Sequence, residues 1–269
     1  MSFLSKYSVK MDVSVSSVIV FLCLIVAAGC HREVAVTSNV IDSGDAHVAA
    51  SRIAEGDELY KERADLAKAR VAVAALRQAV TADYGNYEAA WKLSRACFYV
   101  GDHSKGAAAD EMFKTGVEAG KAAVKLQNDK PEGHFWLGAN YGGEASRSTL
   151  ASLSSVQDIK NEMETVIKLD EKFHGGSAYL ALGRLYLEAP TVLGGDVSKA
   201  TEYLKKGLTI SPNNAMMKYY LAESYAASNR DAEAKKLIAE IIEMTPDPQY
   251  QAEHKDAVDK ANKLKQKLG

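Results

Sequence analysis

Residues 133–142 read GHFWLGANYG, with three aromatic residues, one histidine and three glycines in ten positions. Such density suits either a ligand pocket or one element of a repeated packing unit. Recurrence separates the two readings, because a site occurs once and a packing unit repeats. Leu137-Gly138-x-x-Tyr141 recurs as Leu182-Gly183-x-x-Tyr186 and as Leu221-Ala222-x-x-Tyr225. A weaker copy is Leu93-Ser94-x-x-Cys97, and the most degenerate is Leu59-Tyr60-x-x-Arg63. Successive leucines lie 34, 44, 45 and 39 residues apart.

Each copy is followed by a second element with apolar or small residues at i, i+4 and i+7, which is one face of a helix. The sets are Ala72/Leu76/Ala79, Gly116/Gly120/Ala123, Ile159/Met163/Val166, Ala200/Leu204/Gly207 and Ala234/Ile238/Ile241. The chain therefore reads as a tandem of helix pairs. Two antiparallel helices joined by a short turn need small residues where their backbones cross, and large neighbours then fill the groove to the next pair. Glycine inside a helix costs roughly 1 kcal/mol against alanine, so Gly138 and Gly183 point to close approach. On this reading Leu137, Gly138, Tyr141, Leu182, Gly183, Tyr186, Leu221, Ala222 and Tyr225 are packing residues.

These spacings resemble the tetratricopeptide repeat, a 34-residue helix pair carrying W-x2-L-G-x2-Y. The resemblance covers residues 51–246 in five units. It implies an all-α, right-handed α-solenoid of about five such pairs. Three intervals are longer than the repeat, which implies long second helices in units two and three. In unit four it implies a loop at residues 188–196, EAPTVLGGD, whose Asp196 is placed to cap the next helix. GHFWLGANYG, the later GGSAYLALGRLYLEAPTVLGGDVSKA and the order of units also resemble the T-component family associated with TRAP transporters. Members are periplasmic lipoproteins built on degenerate tetratricopeptide repeats, and the resemblance implies a partner, the transporter's solute-binding protein. Residues 247–269 contain QAEHKDAVDKANKLKQKL at 251–268, with Ala257, Ala261, Leu264 and Leu268 on one face, the pattern of a C-terminal capping helix.

At the N-terminus, Lys6 and Lys10 precede an uncharged run, VSVSSVIVFLCLIVAA, that ends in Gly29-Cys30. The run is shorter than the ~20 residues a membrane-spanning helix needs and fits the apolar region of a secretory signal. VAAGC resembles the bacterial lipobox, which makes residues 1–29 a lipoprotein signal peptide and Cys30 the lipidation site. An ordinary signal or an uncleaved anchor is the competing reading. Acyl chains contribute ~0.8 kcal/mol per buried methylene, so a lipid on Cys30 would hold the protein to a membrane. His31 after the cysteine, rather than Asp, directs lipoproteins as a class to the outer membrane, facing the periplasm. Residues 30–50 read as a flexible tether spanning about 25 Å root-mean-square.

The formal net charge of −2 gives no electrostatic footprint for nucleic acid. Histidines 31, 47, 103, 134, 174 and 254 show no metal-site spacing. GVEAGKAA at 116–123 lacks the Ser/Thr and the strand context of a phosphate loop. The serines in residues 145–155 read as a turn joining helices. No constellation supports catalysis, and no cofactor is implied.

What remains is a groove. In tetratricopeptide proteins the first helix of each pair lines the concave wall. Alignment places Trp91, Phe135, Leu180 and Tyr219 there in one row, with Arg95, Ala139, Arg184 and Glu223 one turn further on. Phe98, Tyr99, Leu187 and Glu188 continue it. An apolar-aromatic shelf with two arginines can seat a partner segment or an organic anion, since guanidinium binds carboxylate bidentately. The bland alternative makes Trp91 and Phe135 core and pairs the arginines with local acids such as Glu88 or Glu188. Three functions fit the groove: adaptor for a solute-binding protein, general envelope assembly scaffold, or carrier of a small organic or apolar ligand. Oligomeric state stays open, a homo-oligomer included.

Overall fold

Small residues set how closely these helices cross, and the computed structural model describes the result for residues 43–147, 149–246 and 251–269. Among them lie α1 (Ser43–Lys61), α2 (Leu66–Ala82), α3 (Tyr87–Asp102), α4 (Ala107–Leu126), α5 (Pro131–Ala145) and α6 (Thr149–Leu169). These are followed by α7 (Ser177–Glu188), α8 (Val197–Ile210), α9 (Ala215–Ala227), α10 (Asp231–Glu243) and α11 (Gln251–Leu268). Each odd-numbered helix up to α9 packs on the even one after it, and each pair packs on the next, so the array is an α-solenoid. None of the described helices is long and apolar enough to cross a membrane. The signal at 1–29, Cys30 and the first part of the tether lie outside the described residues.

The glycine notches fall where the spacing places them. A Cβ on Gly138 of α5 would stand 2.5 Å from Met163 Cε of α6, and one on Gly183 of α7 would stand 2.5 Å from Leu204 Cγ of α8. Leu137, Leu182, Tyr186, Leu221, Ala222 and Tyr225 are buried, and Tyr141 is half-buried. Helices begin on side-chain caps: Asp65, Asn86 and Asn214 each accept a backbone N–H of the first turn. Asp196 does so twice, from Ser198 N at 2.9 Å and Lys199 N at 3.1 Å, as its place before α8 requires. The extra residues of units two and three lengthen their second helices, α4 to 20 residues and α6 to 21.

The structure differs from the sequence reading at three places. In the first pair the notch is Gly56, whose Cβ would stand 2.6 Å from Leu76 Cγ, and not Tyr60, one turn later. The 34-residue first interval is therefore a coincidence of register. Helix α1 starts at Ser43, inside the stretch read as tether, and it buries Ala49 and Ile53. The serine-rich stretch is mostly helix, since α6 begins at Thr149.

Candidate functional site

The ten residues of GHFWLGANYG divide between structure and groove. The Tyr87 hydroxyl accepts from Gly133 N at 3.1 Å and donates to Glu132 at 3.0 Å, which ties the start of α3 to the start of α5. His134 Nδ1 lies 2.6 Å from Glu162 Oε2 on α6, and its Nε2 lies 2.9 Å from Asn128 O. Both partners only accept, so the ring needs both N–H groups, and the Glu162 bond holds its pKa above the usual imidazole value against the pull of burial. Asn140 is fully buried. Its Nδ2 donates to Ser94 O at 3.0 Å, Ser94 Oγ at 3.1 Å and Trp136 O at 2.8 Å, and Ser94 Oγ donates to Gly116 O at 2.8 Å. A polar knot thus joins α3, α4 and α5.

Phe135 and Trp136 turn the other way, both half-buried. Their ring centroids are 4.9 Å apart, edge to face. Phe98 of α3 adds a ring 5.9 Å from Trp136, and Phe173 lies 5.5 Å from Phe135. His174 completes the cluster at 5.9 Å from Phe135 and 6.0 Å from Trp136. Its φ is 45°, a left-handed conformation that continues through Gly175 and Gly176 into α7. Loss of water among the rings first, then the charge of Arg95, lowers the His174 pKa, although part of the residue stays open to solvent. Trp136 Nε1 is buried without a hydrogen-bond partner among the described residues.

The remaining expected wall residues occupy several environments. Trp91 and Tyr99 are half-buried, and the Arg95 guanidinium lies 5.1 Å from the Trp91 ring and 4.1 Å from Tyr60. Arg95 donates to Asp57 of α1 at 3.0 Å. Glu88, one acid considered for it, pairs instead with Lys92, which also reaches Asp57. Arg184 donates to Glu188 at 2.9 and 3.0 Å and lies 5.8 Å from the Tyr220 ring. Its side chain is 48% exposed, and loss of water is the largest influence on it, outweighed by Tyr220 and Glu188 together.

Leu180 and Leu187 are half-buried against the cluster around α9, and Ala139 and Glu223 are also half-buried. Tyr219 departs from the expected row: it is buried, and Lys260 of α11 lies 5.8 Å from its ring. The capping helix occupies the place an open groove would have there. Burial, then a hydrogen bond to Glu223, pushes the Tyr219 hydroxyl far up.

Sequence reasoning missed Tyr60, Asp57 and His174 as neighbours of the expected wall. The aromatic character of Tyr60 was the available signal. Among the described residues no group of three His, Cys, Asp or Glu side chains is placed to hold a metal ion. A cavity of about 290 Å³ lies elsewhere, between α2, α3 and α4, lined by Arg70, Val73, Arg77, Val100 and Met112 among others.

The fold is similar to that of TTC0263, a thermophilic TPR protein of Thermus thermophilus, with a TM-score of 0.58 and 18% identity over 78% of this chain and 98% of that one. It is similar also to PilF of Pseudomonas aeruginosa, at 0.54 and 14% over 84% and 93%. MamA gives 0.50 and 19% over 78% and 95%. These likenesses show a tetratricopeptide-type solenoid. No curated protein matches the chain. The family model described as TRAP transporter T-component matches residues 101–268, more than half of the chain, and the chain belongs to that family.

Proposed function

We propose that this protein is a lipid-anchored accessory component that engages a periplasmic solute-binding protein through the wall formed by α3, α5 and α7. Family membership supports an accessory role in transport at the cell envelope, in a family that is not one of enzymes. The observation that carries the wall is the run of half-buried aromatics, Trp91, Phe98, Tyr99, Phe135 and Trp136, which the array leaves partly unspent on its own core. Aromatic side chains of this kind dominate the binding energy of protein interfaces. Arg95 and Arg184, each already paired with one carboxylate, set the register of a partner more than its affinity.

In this reading residues 1–29 are removed and Cys30 carries the lipid. The tether beyond it leads into the repeat domain that ends at residue 246, and residues 247–269 cap the array. The anchor sits at the outer membrane and the wall faces the periplasm. Photoreactive groups at Phe135 and Arg184, followed by crosslinking mass spectrometry in intact cells, test it. Crosslinks to a solute-binding protein are expected at both positions. Crosslinks confined to other envelope proteins would replace this reading with the general scaffold. A small-molecule carrier is the second reading, favoured by the Trp136 Nε1 that is buried without a partner among the described residues beside the aromatic cluster. Native mass spectrometry of freshly purified protein, showing a bound small molecule, would support it.

A further inference from the structure

In a repeat array each unit is held by its neighbours, so small rotations at successive joints add up along the coil. A contact between its two ends restrains that sum. Arg63, in the turn after α1, and Glu253, on α11, make such a contact at 3.6 Å. The guanidinium carbon of Arg63 also lies 5.1 Å from the Tyr60 ring and 5.6 Å from the Tyr99 ring, so α1 and α3 hold the cation on an aromatic seat. The apolar face of α11 is engaged elsewhere, with Ala257, Ala261 and Leu264 buried in the cluster of α9 and α10. Among the described residues, α1 and α11 do not pack along their lengths. The joints between neighbouring pairs bury apolar side chains, with polar links at Asp57 and at Asn140. The contact between the ends is charged, and its side chains are 29% and 46% exposed.

We propose that Arg63 and Glu253 form a latch that draws the first and last helices together and sets how far the groove opens. Closed, it holds the aromatic wall in the arrangement described above. Released, it lets the joints relax in sum and offers the wall to a folded partner. The latch stands whatever that partner is, because it concerns the two ends of the coil alone.

The test uses the chain with Cys23→Ser and Cys30→Ser and nitroxide labels at Ala64→Cys and Asp256→Cys, both exposed, while buried Cys97 stays unlabelled. Electron–electron double resonance reads the distance between the ends. Glu253→Gln is expected to lengthen and broaden the distribution while leaving the aromatic seat intact. About 1 M salt should act likewise on the unsubstituted protein, because exposed charges are screened within a few ångströms there. The reversed pair, Arg63→Glu with Glu253→Arg, is expected to restore the closed population. For an exposed pair the shift reaches up to about fivefold in the closed-to-open ratio. An unchanged distribution in Glu253→Gln overturns the proposal, as does a lengthening that the reversed pair fails to recover. Circular dichroism of each variant is expected to match the parent. Loss of helix in Glu253→Gln would make the contact structural and would also overturn the latch.

Discussion

A Cβ on Gly183 would stand 2.5 Å from Leu204 Cγ and 2.7 Å from Leu204 Cδ2, so α7 and α8 cross at a distance that excludes a methyl group. Gly183→Ala gains helix propensity of about 1 kcal/mol but overpacks a fully buried leucine at about 1–3 kcal/mol. Net destabilisation is expected. Gly142, with nothing within 4 Å of its virtual Cβ, has no such neighbour. Gly142→Ala is expected to stabilise by up to about 1 kcal/mol. Urea unfolding of the two variants should move in opposite directions.

Asn140 holds the joint of α3, α4 and α5 through three donated hydrogen bonds. Asn140→Ala strands buried acceptors and leaves a void, and a loss of about 2–4 kcal/mol is expected. Ser94→Ala keeps two of those three bonds and removes the one Ser94 donates to Gly116, so its loss should be nearer 1 kcal/mol. Equal costs in denaturant titrations would mean that the knot is not centred on Asn140.

His134 carries a pKa above its ordinary 6.5, chiefly through Glu162, so it binds its proton more tightly folded than unfolded. The stability it adds is present in full below about pH 6.5 and is lost as pH rises through the folded value. Unfolding midpoints should fall over that interval, and His134→Gln should flatten the fall. His174 is displaced the other way, by burial and Arg95. Imidazole resonances followed by NMR should therefore show His134 titrating above the ordinary value and His174 below it.

Cys97 is fully buried, and burial pushes its thiol up to about 12, with Arg77 opposing weakly. A thiolate is the reactive form, so Cys97 should resist maleimide at neutral pH until the protein unfolds. Peptide mapping at Cys97 with and without denaturant reads the outcome directly.

Arg184→Ala should cost less than about 1 kcal/mol, since its partner Glu188 is half-exposed on the same helix. A large loss of partner capture with an unchanged melting temperature would then report on binding and not on folding.

The helix pairs were legible because their signal is local. Leu137, Gly138 and Tyr141 sit within one turn, and the contact of small residue with large is written into that spacing. The first pair was misregistered because Gly56 makes the close approach with Leu59, not a tyrosine, three positions on. Of the expected wall, Trp91, Phe98, Tyr99 and Phe135 came from alignment, and each is half-buried. The partner of Arg95 could not, since Asp57 comes from the preceding pair and the local acid Glu88 serves Lys92. Tyr219 was misplaced for a related reason: what covers it arrives from α11, some forty residues later in the chain. His174 offered no cue, because its position among three rings depends on a left-handed turn.

The knot of Ser94, Asn140 and Gly116 bears on how such a chain can be rearranged. Modules joined by greasy, generic seams can be duplicated, dropped or shuffled with little penalty, because any leucine face suits any other. The seam between the second and third modules is keyed: a hydroxyl from one fits a carboxamide from the other, across a backbone that must lack a side chain. Recombination that separates Ser94 from Asn140 strands both, and Asp57 likewise ties the first module to Lys92 and Arg95 of the second, so viable crossovers should fall at the later seams. Ancestral or designed variants of this array should inherit those two modules as one block.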